Sequence, residues 1–319
     1  MRQTDFKFFR KLTAIGVVTL PAFSLTPYIP LSARITDLPS HFVLQYAIGA
    51  ILGSFIVLLL KMPRVYLVLP GIAFALNVAT LAPYLDRAPP QTIAESKTFK
   101  VLQVNTLYLN RDTERLEALI RRENPDIITA VETNDAFAAM FKSLADLYPH
   151  QDIHPRGDAR GLAVLSKFPL RDVAVSIFDE PVTPAHSFTV SAHGQNIRFV
   201  SLHPYTPLRT LARRDAHMRA VAKAYAAPQN TPLVVAGDFN ATPWSPVMKT
   251  FMRQTGLKSA RAGHGILPTW PTFLPASFLR IPIDHILVSD HLHILRYTLG
   301  DNTGADHLPT IAVIGINTP

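Results

Sequence analysis

The sequence predicts an α/β domain carried behind an α-helical membrane segment, and three observations predict it. The first 87 of the 319 residues hold three long apolar stretches. From residue 99 onward, short β-like apolar runs alternate with amphipathic helical patterns. In that second part, strand after strand ends in a residue able to hold a metal or move a proton. The expected organisation is a membrane region at 1–87 with about three transmembrane helices, a linker at 88–98 carrying Pro89 and Pro90, and a soluble domain at 99–319.

The apolar stretches run over 12–31, 42–60 and 65–85, and the last two carry no charge. About 20 apolar helical residues cross a bilayer core. The second and third stretches suit that length, whereas Pro21, Pro27 and Pro30 interrupt the first. A cleaved signal peptide is the rival reading of the first stretch, and buried core helices are the rival reading of the others. Arg2, Lys7, Arg10 and Lys11 precede the first stretch, Arg34 alone follows it, and Lys61 and Arg64 separate the second from the third. The positive-inside rule then puts the N-terminus and the second loop in the cytoplasm. If all three stretches cross, everything after Tyr84 lies outside. The expected location is a multi-pass protein of the bacterial inner (cytoplasmic) membrane, with its soluble domain on the periplasmic or extracellular side.

Charge follows the same division. Residues 1–87 carry eight Lys/Arg against three Asp/Glu, so +5 of the net +8 sits there and the remaining 23 against 20 leave +3 for 88–319. That small excess does not suit a clamp on duplex DNA. The chain has no cysteine, which excludes disulfides and thiolate chemistry.

In the soluble part, strands are expected at 100–105, 125–131, 161–165, 187–192, 197–202, 233–236, 281–288 and 308–316, with helices at 112–123, 137–147 and 208–227. The stretch VVAGDFNATPWSP at 234–246 is the most pointed: an apolar run delivers Asp238 and Asn240, two residues apart on an extended chain and therefore on one side of it. Asn105, Glu132, His203, Asp306 and His307 stand at other strand ends, and Asp284 lies within a strand. Strands of one or two packed sheets sharing a rim bring these groups together. Carboxylates about 4 Å apart repel by about 4 kcal/mol at an effective dielectric of 20, a cost that a divalent cation removes. Oxygen ligands of the Asp, Glu and Asn type suit Mg²⁺, with Mn²⁺ the alternative. Metal, imidazole and carboxylate together equip a site for phosphoester hydrolysis.

Six motifs in order, QVNT at Asn105, VET at Glu132, SLHP at His203, GDFN at Asp238 and Asn240, IDHIL at Asp284 and ADH at Asp306 and His307, resemble the endonuclease/exonuclease/phosphatase (DNase I-like) superfamily. The resemblance spans about 99–316 and implies a four-layer α/β sandwich with helices outside two packed sheets. It implies metal ligation by Glu132, assisted by Asn105, with Asp306 as a second carboxylate near the metal or water. Asp238 orients or deprotonates the attacking water, and Asn240 holds that water or the phosphate. His203 contacts the phosphate and protonates the leaving group; His307 binds a phosphate oxygen or acts as base; Asp284 fixes the His307 tautomer. Arg160 is a candidate phosphate ligand, with a solvated arginine as the rival reading. Ala305 in place of a common Ser, IDH around Asp284 and SLHPY at His203 depart from the usual pattern and leave specificity open.

The layout is similar to that of bacterial proteins joining three N-terminal spans to such a domain. The expected function is a membrane-anchored, Mg²⁺-dependent hydrolase of a phosphomonoester, pyrophosphate or phosphodiester, lipid-linked and extracytoplasmic. The alternatives are an extracytoplasmic nuclease acting on DNA or RNA, and a non-catalytic membrane scaffold. Expected partners are the lipid bilayer and the phosphoester substrate, nucleic acid being less favoured, and no obligate protein partner is inferred. His285, His291 and His293 read as surface or packing histidines, Trp244 and Trp270 as packing or rim residues, and Arg213, Arg214 and Arg219 as a solvated helix face.

Overall fold

The computed structural model describes residues 3–29, 34–87, 94, 97–177, 183–228 and 230–316. The linker expected at 88–98 falls mostly outside these residues.

The N-terminal part is helical: α1 (Gln3–Ser24), α2 (Arg34–Ser40), α3 (Val43–Leu59) and α4 (Val68–Leu85). Pro21 sits in the last turn of α1 without breaking it, and the helix stops at Ser24 rather than reaching residue 31. Two segments, Phe6–Tyr28 and Arg64–Leu85, are long and apolar enough to cross a membrane, while α3 is shorter at 17 residues. Gly49 packs on Leu20 and Gly53 on Val17, so α1 and α3 run antiparallel. Asn77 of α4 donates to Ser24 Oγ at 2.8 Å, and Tyr28 reaches Thr80 Oγ1 at 2.7 Å, so the C-terminal ends of α1 and α4 lie together. Helix α2 was not expected. Its seven residues carry no apolar period, and contacts to the rest of the chain hold it.

The remainder is β1 (Thr98–Asn105), α5 (Glu114–Glu123), β2 (Ile127–Val131), α6 (Asp135–Ser143), β3 (His150–His154), β4 (Leu162–Ser166), β5 (Leu170–Ile177), β6 (Pro184–Ala192), β7 (Gln195–Leu202), α7 (Pro207–Ala224), β8 (Leu233–Asp238), α8 (Pro246–Thr255), β9 (Lys258–Ser259), β10 (Asp284–Val288), β11 (Leu292–Leu299) and β12 (Thr310–Ile316). One six-stranded sheet has the order β11-β12-β1-β2-β4-β3 and the other β5-β6-β7-β8-β10-β9. Phe99, Val101, Phe188, Phe199, Val234 and Ile286 fill the space between the sheets. Burying each such side chain contributes about 1.5–3 kcal/mol. Leu116, Leu119 and Phe137 of α5 and α6 cover the outer face of the first sheet, and Met218, Val221 and Phe251 of α7 and α8 cover that of the second. The expected four layers are present. Helix α6 starts under a cap from Asn134, whose Oδ1 accepts from Ala136 N and Phe137 N.

Strands β3, β5, β9 and β11 and helix α8 were not expected. β5 is an edge strand whose residues are mostly exposed and whose pairing with β6 breaks between Arg171 and Ala174, so it lacks a clean alternation. Helix α8 starts at Pro246 in a Pro-rich loop, with proline at its permitted first position.

Strand direction places the site. β1 and β2 run parallel, as do β7 and β8, so Asn105, Glu132, His203 and Asp238 arrive at one rim. β10 and β12 run antiparallel to β8 and β1, so their starting residues return to that rim, and Asp284 pairs directly with Asp238. Asp306 and His307 therefore precede a strand instead of ending one.

Candidate active site

Asn105, Glu132, His203, Asp238, Asp284 and His307 meet in one nearly buried cluster. Asn105 Nδ2 donates to Glu132 Oε1 at 2.9 Å and to Asp238 Oδ2 at 3.2 Å. Glu132 has a left-handed backbone, φ 58°, which turns the chain out of β2, and its Oε2 accepts from the Tyr108 amide at 3.1 Å. Asp238 Oδ1 accepts from the Asn240 amide at 2.8 Å, closing an Asx turn that leaves Oδ2 facing the cluster. His203 Nε2 lies 3.3 Å from that oxygen and 3.6 Å from Glu132 Oε1, and its Nδ1–H donates to the Ala159 carbonyl at 2.9 Å. Asn240 Nδ2 donates to the Pro204 carbonyl at 3.0 Å and sits 3.2 Å from His203 Nε2.

On the other flank His307 Nδ1–H donates to Asp284 Oδ2 at 2.8 Å, which leaves Nε2 3.6 Å from Asp238 Oδ2. Gln103 donates to Asp284 Oδ1 at 3.4 Å and accepts from Thr310 Oγ1 at 3.0 Å, so β1 steadies the pair. Asp306 is half-buried at the His307 edge; its Oδ1 is 4.0 Å from Nε2, and its Oδ2 accepts from Trp270 Nε1 at 3.2 Å.

Electrostatics follows from this packing. Burial opposes charge on His203, but the hydrogen bond and charge of Asp238, with Glu132 behind it, win and push it up to about 9. Burial also opposes charge on His307, yet Asp284, Asp238 and Asp306 together raise it to about 10. Burial alone raises Asp238, but His307, His203 and the Asn240 amide hold it at about 2.

The donor set fits a divalent cation. Four carboxylates, Glu132, Asp238, Asp284 and Asp306, face two imidazolium groups, so the cluster carries −4 + 2 = −2 even with both histidines charged. Glu132, His203 and Asp238 present ligand atoms within 4.8 Å of one another, as do Asp238, Asp284 and His307.

Arg160 stands apart from the central cluster. Its guanidinium donates to Tyr205 Oη at 3.0 Å and pairs with Asp158 at 3.7 Å, beside the Ala159 carbonyl that holds His203. Arg213 and Arg219 are exposed, but Arg214 is not part of a solvated face: it is wholly buried and bound by Asp37 and Asp215. His285 is buried against Phe239 and donates Nε2–H to the Ala241 carbonyl at 2.8 Å, a packing role. The sequence reading missed Gln103, Tyr108 and Arg214. Only Gln103 carried a signal, standing two residues before Asn105 on the same strand face. In a further group, Asp152, His154 and His186, the 2.8 Å hydrogen bond from His186 to Asp152 Oδ2 joins β6 to the edge strand β3 of the other sheet, while His154 bonds the same oxygen at 2.7 Å within β3.

A family model described as endonuclease/exonuclease/phosphatase family matches residues 102–307. Among solved structures, an endonuclease/exonuclease/phosphatase from Beutenbergia cavernae is 18% identical over 69% of this chain and 72% of its own, with a TM-score of 0.58. Truncated Caenorhabditis elegans TDP2 is 20% identical over 68% of this chain and 98% of its own, TM-score 0.55. The human Nocturnin catalytic domain with bound sulfate anion is 21% identical over 71% and 97%, TM-score 0.53. These likenesses concern the fold. No curated protein sequence matches the chain.

Proposed function

Because the chain belongs to the endonuclease/exonuclease/phosphatase family, we propose that it is a membrane-anchored, divalent-metal-dependent hydrolase of a lipid-borne phosphoester on the extracytoplasmic side. The observation that carries this is the meeting of Glu132, Asp238, His203 and His307 at one buried rim, with the excess negative charge described above. Glu132, with Asp306 on the His307 side, is the residue to hold Mg²⁺, which when bound supplies positive charge to a phosphate oxygen; Asn105 assists by its hydrogen bond to Glu132, since its Oδ1 accepts from the Leu107 amide.

The local charges favour some roles over others. A carboxylate held at about 2 is a weak base, so Asp238 orients the attacking water and takes its proton only as the P–O bond forms. His307, kept cationic by Asp284, binds a phosphate oxygen. His203 is cationic and adjacent to Asn240, so it gives its Nε2 proton to the oxygen that leaves phosphorus.

The orientation has its own support. Arg10 donates to the Lys61 carbonyl at 3.5 Å, so Lys7, Arg10, Lys11, Lys61 and Arg64 gather at the end of the bundle opposite the sandwich. Positive charge retained in the cytoplasm leaves the sandwich on the other side.

The test is hydrolysis by the full chain in nanodiscs, with Mg²⁺ or EDTA, against bis-p-nitrophenyl phosphate, a polyprenyl pyrophosphate, sphingomyelin and plasmid DNA. Metal-dependent cleavage of a lipid substrate with plasmid intact, lost in Asp238→Asn, is expected. Plasmid nicking as the dominant activity makes it a nuclease; no hydrolysis of any kind refutes the enzymatic reading.

A further inference from the structure

We propose that the loop 271–280 is a wedge seated in the bilayer surface, so that the site reaches the phosphoester of a lipid that stays in its membrane. This rests on reading the helices as membrane spans and the site as a phosphoester hydrolase.

The loop has the sequence PTFLPASFLR, with no carboxylate. It leaves bare three large apolar side chains: Phe273 is 74% exposed, Phe278 49% and Leu279 40%. Grouped apolar side chains of this kind on one loop mark a contact surface. The loop is braced from within, since the Arg280 guanidinium donates to the Leu274 and Thr272 carbonyls at 2.7 and 3.2 Å. That leaves its only charge engaged with backbone.

Both flanks of the loop are tied. On the catalytic side the Thr272 amide donates to the Asp306 carbonyl at 2.9 Å and Thr272 Oγ1 to the Ala305 carbonyl at 2.8 Å. On the other side Gln45 Nε2 donates to the Phe278 and Arg280 carbonyls at 2.9 and 3.1 Å. Gln45 is the third residue of α3, so it sits about 3 Å along the helix from its first residue. The loop is therefore level with the point where the apolar helix begins. Phe42, just ahead of α3, is exposed, and Leu109 on the loop after β1 and Leu208 in the first turn of α7, both at the catalytic rim, are bare as well. This exposed apolar surface is found at the start of α3, on the loop tied to it through Gln45, and at the catalytic rim. A bilayer covers all of it at once, which a soluble partner does not explain. Aromatic side chains at that depth suit the interface.

The chain has no cysteine, so single-cysteine spin labels report one position each. The full chain is reconstituted in vesicles of phosphatidylcholine and phosphatidylglycerol with a nitroxide in Phe273→Cys, in Phe55→Cys in the second half of α3, or in Val175→Cys on the exposed edge strand β5. Collision with dissolved oxygen against a nickel chelate then gives depth. Position 273 is expected at the interface, between lipid-buried 55 and water-exposed 175. A water-like 273 with a lipid-buried 55 overturns the wedge alone; a water-like 55 overturns the spanning reading and the wedge with it. In the Phe273→Ser/Phe278→Ser double variant, the ratio of vesicle-lipid to bis-p-nitrophenyl phosphate turnover is expected to fall at least about tenfold, the scale set by burying one aromatic side chain. An unchanged ratio, or equal loss on both substrates, overturns the proposal.

Discussion

Asp37 and Arg214 meet through two hydrogen bonds of 2.7 and 2.9 Å, 177 residues apart in sequence and both wholly buried. The pair joins α2 to α7, and Arg214 also lies 3.4 Å from the Asn240 carbonyl. Beside it His41 touches Thr242 at 3.0 Å. The helical region thus grips the loop that follows Asp238.

Removing one partner strands a buried charge, which costs about 3–5 kcal/mol. Asp37→Asn is expected near the lower end, because Asp215 still holds Arg214 at 2.7 Å. Thermal unfolding of the full chain in detergent measures it, and Asp37→Leu with Arg214→Met is expected to recover much of the loss. Burial opposes charge on Asp37, but His41 and Arg214 hold its carboxyl at about 2. Since that value is depressed, the tie is fully present above the ordinary 3.8 and disappears as pH falls toward 2.

Glu132→Gln keeps the shape of the side chain and one of its two contacts, since a single amide oxygen can accept from Asn105 or from Tyr108 but not from both, while removing the charge. Metal-dependent turnover is expected to fall by roughly a hundredfold or more, with little change in melting temperature. Calorimetric titration of Mn²⁺ checks whether the ligand is lost; unaltered metal affinity assigns Glu132 a different role.

In the metal-free chain His307 is expected to stay protonated until about pH 10. Its raised value contributes stability that is complete below the unfolded value of 6.5 and is lost as pH rises through the folded one. Histidine-selective NMR titration follows the proton directly. Asp284→Asn removes a main source of the shift and is expected to move the midpoint down. Mg²⁺ is expected to move it down as well, because a cation disfavours a neighbouring imidazolium.

His285 behaves oppositely. Burial first, and Arg261 second, press it to about 3, so it remains neutral in the fold while the unfolded chain takes up a proton below 6.5. Stability is expected to fall with acidification from about pH 6.5 toward 3, at up to about 1.4 kcal/mol per pH unit from this group. Chemical unfolding across that range, with His285→Gln as the comparison, shows a shallower acid slope in the variant if the assignment holds.

Gly237→Ala is expected to be poorly tolerated. The residue has φ 151°, and a Cβ there comes within 1.9 Å of the Leu202 carbonyl oxygen across the β7–β8 pairing. A loss of about 1–3 kcal/mol or more is expected, with Asp238 displaced. Urea unfolding together with turnover tests whether stability and activity fall together.

Much of the site was legible in the sequence because Asn105, Glu132, His203 and Asp238 interrupt apolar runs, and such an interruption marks a strand end whichever sheet the strand joins. Asp284, Asp306 and His307 were found by motif, but their place at strand beginnings depends on antiparallel pairing, which no local pattern encodes. Arg214 was misread for a related reason. Its helix is rich in Ala and Arg, so a solvated face was the natural reading, and the carboxylate that buries it belongs to α2. The edge strands β3 and β5 escaped because half-exposed polar residues show no alternation. Helix α3, expected as a span, has 17 residues, at the short end of what crosses a bilayer core.

Tyr84 of α4 packs edge-on against Trp244 at 5.7 Å, and Val43, Leu81 and Trp244 share one buried cluster. The helices therefore complete the interior of the sandwich as well as tethering it. A protease that severs the chain between residues 87 and 97 is expected to leave two fragments that co-migrate, held by this seam and by the Asp37–Arg214 pair. A single cut there would not part the sandwich from the helices, and the hydrolytic half expressed by itself would carry an open wound of apolar surface where Tyr84 had been.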